Sequence, residues 1–180
     1  MKTSNLIAGI GAAMLFTLSL LFQGRVHYYI KKERAAGYVT FESQSREVAY
    51  FDRMRVKEKI KVVFSQDSIT SLRVHGPKEL LDSIKTNVIQ NTLQISLGSR
   101  TRTKDTIKVF VNTSTLNALE LAGGYFENTG MLMADAFYLK MDKNSDCNLN
   151  LSSQRLEVDM AKESGLDLKG KTGHIIFINQ

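Results

Sequence analysis

The segment whose spacing most suggests a bound ion is Asp142-Lys143-Asn144-Ser145-Asp146. It spells D-x-N-x-D, the opening of a calcium loop, because hard cations take oxygen ligands at alternate positions. The rest of such a loop is missing: Cys147 stands where the turn glycine belongs and Ser153 where the bidentate glutamate belongs. A polar corner between strands accounts for the segment without metal. His27, His75 and His174 share no H-x-x-H or H-x-x-x-H spacing, so zinc is not indicated. Cys147, the sole cysteine, forms no intrachain disulfide and has no histidine nearby in sequence to activate it. It lies in an alternating pattern and is expected to be a buried, inert thiol. No G-x-S-x-G, P-loop or G-x-G-x-x-G occurs, and Gly123-Gly124 reads as a corner. The sequence therefore offers no catalytic residue, no cofactor site and no metal ligand set.

The polar, basic stretch Gly98-Ser99-Arg100-Thr101-Arg102-Thr103-Lys104-Asp105 could contact a phosphate or glycan, but it reads as a solvated hairpin loop. The net charge of +6 points to a polyanionic partner only until it is located. Residues 1–34 hold Lys2, Arg25, Lys31, Lys32 and Arg34 against Glu33, which is +4 and leaves +2 for the rest of the chain. The basic charge thus sits beside an apolar run, Leu6 to Phe22, 17 residues without a charge. At about 1.5 Å per residue such a run just spans a thin hydrocarbon core. It lacks the small-x-small site of a cleaved signal peptide, so an uncleaved single-pass anchor is expected. Tyr28 and Tyr29 suit the membrane interface and the basic cluster suits lipid head groups, so no nucleic-acid partner is expected. Four basic residues after the run would, by the positive-inside rule alone, leave the domain in the cytoplasm.

What remains must be built from strands. Ile60, Val62 and Phe64, then Leu72 and Val74, then Leu93, Ile95 and Leu97, then Ile107, Val109 and Val111 alternate with other residues, which predicts half-buried, antiparallel strands up to about Ser114. Pro77 opens a short helix in which Leu80, Leu81 and Ile84 share a face.

From about Leu116 the chain repeats at 19 to 20 residues. Leu119-Glu120-Leu121 returns as Leu139-Lys140-Met141 and Val158-Asp159-Met160, and Cys147 and Leu149 return in phase as Leu166 and Leu168. The links Ala122-Gly123-Gly124, Asp142 to Ser145 and Ala161 to Gly165 are small or polar and read as corners. A unit this short cannot bury its inward side chains alone, so successive units must stack, with Leu119, Leu139 and Val158 inside and Glu120, Lys140 and Asp159 outside. The outward row mixes signs and places no two carboxylates at a catalytic separation. Ile175 to Ile178 would begin a further coil whose edge needs a cover.

Arg46-Glu47-Val48-Ala49-Tyr50-Phe51-Asp52 with Met54-Arg55-Val56, Ile60 to Gln66, Leu72-Arg73-Val74-His75-Gly76, Asn91 to Ile95, Ile107 to Val111 and Leu116 to Gly124 occur in an order that resembles the putative auto-transporter adhesin, head-GIN domain family of bacterial envelope proteins. The resemblance runs from about Arg46 to the end. It implies an exported β-solenoid domain without established catalytic activity, and brings no catalytic residues with it. The combined expectation is an all-β chain: a right-handed parallel β-helix or solenoid with a strand-rich N-terminal part and one short helix, behind one transmembrane helix. Residues 1–34 form the anchor, 35–45 a linker and 46–180 the domain. Its expected role is a non-enzymatic, membrane-anchored, extracytoplasmic binding, adhesion or structural module for an envelope glycan or protein. A polysaccharide-active enzyme and a cytoplasm-facing scaffold are the alternatives.

Overall fold

The computed structural model describes residues 40–98 and 106–179. The apolar run Leu6–Phe22, the basic residues after it, His27 and the loop from Ser99 to Asp105 lie outside the described residues. Among the described residues no helix is long and apolar enough to cross a membrane.

The strands are β1 (Phe41–Arg46), β2 (Arg53–Lys57), β3 (Ile60–Gln66), β4 (Ser71–Pro77), β5 (Ile84–Ile89), β6 (Thr92–Leu97), β7 (Ile107–Thr113), β8 (Ala118–Ala122), β9 (Tyr125–Thr129), β10 (Leu132–Met141), β11 (Asp146–Met160) and β12 (Gly165–Asn179). All belong to one curled sheet, and the fold is all-β. The expected helix is a 3-10 turn over Lys78–Ser83 that buries Leu81. It is short because Ile84, buried at its end, already enters β5.

The repeat sets the pairing. β8, β10 and β11 run parallel so that Leu119 lies beside Leu139 and Leu139 beside Val158, while β11 and β12 pair Cys147 with Leu166 and Leu149 with Leu168. Leu119, Leu139, Val158 and Leu149 are completely buried. Between these strands the corners stack: Asp142 N–H donates to Leu121 O, Ala161 N–H to Met141 O and Gly165 N–H to Ser145 O. Ser145, itself buried, accepts from Gly123 N–H at 2.9 Å and donates to Leu121 O at 3.0 Å, so one hydroxyl locks two corners together. Gly170 has φ +108, and a Cβ there would meet Leu151 O at 2.0 Å, so only glycine lets the two rungs approach.

Two expectations for the N-terminal part are corrected. Its strands are not all antiparallel: β2 pairs parallel with both β6 and β8, and β3 parallel with both β7 and β9. Alternation reports which side of a strand is buried and carries no information on its partner's direction, which is why the sequence misled here. The inward column is therefore longer than the repeat, running Leu93, Met54, Leu119, Leu139, Val158, with the β2/β3 rung, early in the sequence, between β6/β7 and β8/β9. Antiparallel pairing is confined to β1, β4 and β5, which flank β7 and β6. The second correction concerns residues 41–45, expected as linker: they form most of β1, paired with β4, and the compact unit starts at Thr40.

Candidate binding surface

Outward positions pair their charges across rungs. Gln94, Arg55, Glu120, Lys140 and Asp159 lie side by side. Arg55 meets Glu120 with two hydrogen bonds, 2.6 and 3.0 Å, which hold the guanidinium above its ordinary pKa. Lys140 lies 3.8 Å from Asp159, itself mostly covered. On the adjoining face Lys61 reaches Glu127 at 2.9 Å and sits 4.6 Å from the centre of the Tyr125 ring. The Tyr125 phenol donates to Glu127 at 3.1 Å, and burial, then Glu127, raises its pKa. The Arg55–Glu120 pair, partly open to solvent, contributes at most about 1 kcal/mol.

The remaining candidate groups are also accounted for. Asn144 takes φ 58 at the corner and gives its N–H to Glu163 O, while Asp146 faces Gly165, whose added Cβ would lie 2.5 Å from Oδ1. With Ser145 turned inward, the D-x-N-x-D segment is a corner. Among the described residues no three His, Cys, Asp or Glu side chains gather closely enough to hold a metal ion. His75 stacks on Phe41 and shares a 3.0 Å hydrogen bond between Nδ1 and the Ser43 hydroxyl, and His174 lies beside Arg155. Cys147 lies in the core column between Phe126 and Leu166, and burial pushes its thiol up to about 12.

Open depressions mark the described surface, and two of them are roomy enough for an extended ligand. The larger, about 1050 Å³, follows β1, β4, β7 and β3 and includes Arg46, Arg73 and Phe110. Its cations are engaged: the Arg46 guanidinium donates to Gln44, Leu81 O, Ile84 O and Thr86, and Arg73 lies over the Phe110 ring at 5.0 Å. Burial draws the Arg46 guanidinium below its ordinary pKa, with Asp82 opposing. Arg46 is a tie between β1 and the 3-10 turn, not a ligand group.

The second, about 860 Å³, has a floor of Ala134, Ala136 and Ser153 and polar walls of Gln66, Asn117 and Gln154. The Gln66 amide stands in for a strand, donating to Ser114 O and Met133 O and accepting from Met133 N–H. Ser153 Oγ is covered yet has no hydrogen-bond partner. Small residues and polar edges, the Asp135 carboxylate among them, can accept a polar extended ligand. The sequence hid this groove because its residues come from four segments; only the side-by-side position of Ala134 and Ser153, one repeat apart, could have signalled it.

Residues 50–178 match the model of the family described as putative auto-transporter adhesin, head GIN domain. The chain belongs to this family. Its head GIN domain is similar in fold to a putative adhesin from Parabacteroides merdae at 13% identity and TM-score 0.69, covering 76% of this chain. The chain spans only 59% of that protein. A putative lipid binding protein from Parabacteroides distasonis shares 20% identity over 78% of this chain and 67% of its own, with TM-score 0.58. A putative adhesin from Bacteroides fragilis shares 15% identity over 79% of this chain and 98% of its own, with TM-score 0.57. Among curated proteins nothing matches.

Proposed function

We propose that this head GIN domain is a non-enzymatic binding or structural module of the bacterial envelope. Leu6 to Phe22 anchor it as an uncleaved single-pass helix, and its rungs wind as a right-handed parallel β-solenoid facing away from the cytoplasm. The observation that carries the reading is the polar groove over Ala134, Ala136 and Ser153: an open surface of small residues on a pile of strands, edged by Gln66, Asn117, Asp135 and Gln154. Its ligand is an envelope glycan or protein.

Incubating the full chain in detergent with envelope polysaccharides, and following both retention and the appearance of new reducing ends, tests this. Retention without cleavage, weakened by Ala136→Trp, is expected; cleavage would replace the module by an enzyme. Alkaline phosphatase fused after Gln180 tests orientation, with activity expected. The rival orientation has its own support in Arg25, Lys31, Lys32 and Arg34 beyond the apolar run, and an inactive phosphatase would favour it.

A further inference from the structure

Exposed apolar side chains are scattered over the described surface except on β12, where Ile175, Ile176, Phe177 and Ile178 are consecutive and 41–58% exposed. Ile175 and Phe177 continue the columns of Leu156 and Val158, which are completely buried one rung earlier. Among the described strands β12 pairs only with β11, so its other side presents a row of backbone N–H and C=O groups without a ladder. Such an edge is a template for another strand.

Charge decides which strand. The first half of β12 carries Asp167, Lys169 and Lys171, the kind of residues that blunt an edge, whereas Thr172 to Gln180 carries no charge. The edges at the other end of the sheet do not match it: β1 carries Glu42 and Arg46, and β5 carries Lys85. The edge that matches this segment in length, apolarity and lack of charge is the same edge on a second copy.

We propose that β12 is a self-association edge, pairing antiparallel with β12 of a second copy about a two-fold axis at Ile176. In this register Ile176 faces its own counterpart and Ile175 faces the second copy's Phe177, each on the same side of the joined sheet, as antiparallel pairing requires. No like charges oppose each other. An interface in which the same patch serves both copies closes on itself, so the product is a dimer and not a filament. The proposal stands apart from whatever occupies the groove.

The full chain in detergent, followed by analytical ultracentrifugation, is expected to be dimeric. Ile176→Lys places two ammonium groups opposite each other and is expected to weaken dimerisation by about a hundredfold while leaving the far-UV circular dichroism spectrum unchanged. Ile178→Lys, pointing outward as well, serves if the first variant fails to fold. Independently, Ile176→Cys is expected to cross-link two copies under mild oxidation, with Glu163→Cys at an exposed corner giving no cross-link. A monomeric wild-type chain, a dimer indifferent to both lysine substitutions, or equal cross-linking at the two cysteine positions would each overturn the proposal.

Discussion

The two ends of the pile of strands meet the same problem differently. At one end β6 and β7 are followed outward by antiparallel strands, β5 on one side and β4 then β1 on the other, with the 3-10 turn packed between them and Arg46 tying them together. At the other end β12 stops with its inward residues half exposed. A stack of parallel strands cannot terminate itself, because its last rung has the same unsatisfied edge and inner face as any other. Here one end is finished within the domain by reversing strand direction, whereas at the other β12 pairs on one side alone among the described strands.

The largest expected effect asks whether the rungs between the ends hold together as one unit. Leu139→Asp buries an unpaired charge, at a cost of several kcal/mol, on the order of the whole stability. It is expected to abolish the cooperative thermal transition, whereas Lys140→Ala, one residue away but outward, should leave it nearly unmoved. Equal effects would mean that inside and outside are wrongly assigned.

The next prediction compares the last closed rung with the open one. Leu156→Ala should cost about 2–5 kcal/mol in urea denaturation. Ile175→Ala, in the same column but 45% exposed, should cost under about 1 kcal/mol in the monomer. If the costs converge as protein concentration rises, the open rung has become a closed one.

At the finished end, Arg46→Ala should cost about 2 kcal/mol, since it removes the guanidinium donor to Ile84 O and one of the two donors to Leu81 O. Hydrogen exchange should quicken in β1 and β5 while β10 and β11 stay protected. Uniform quickening would show that the cap is not a separable part.

The last effect is confined to alkaline pH. Cys147 has a thiol at about 12 when folded and near its ordinary value when unfolded. The unfolded chain therefore loses that proton first, so this contribution is intact below about pH 9 and declines as pH rises toward 12. A shallower alkaline decline for Cys147→Ala, measured by chemical denaturation, is the check.

The repeat was legible because Leu119, Leu139 and Val158, and in phase Cys147 with Leu166, keep one spacing, and stacked rungs of one size require one spacing. The placement of β2/β3 between β6/β7 and β8/β9 was not, because the excursion through β4, the 3-10 turn and β5 separates Met54 from both its neighbours, Leu93 and Leu119, by unequal steps outside the repeat. Pro77 did announce the turn. Arg46 could not announce its role, since its partners, Leu81 O and Ile84 O, are backbone groups invisible to sequence pattern.

That insertion has a consequence in time. A chain emerging from its N-terminus presents β2 and β3 with both edges bare, and neither neighbour exists until residues far downstream have followed. The rung that ends in the middle thus waits longest for its company, and the pile cannot grow by adding each new rung to the last. Closure across long sequence separation makes the search slow, and bare edges in the interval are open to mistaken pairing. A refolding reaction that speeds markedly when the chain is opened between β7 and β8 and religated at another loop would place the delay at this out-of-order rung.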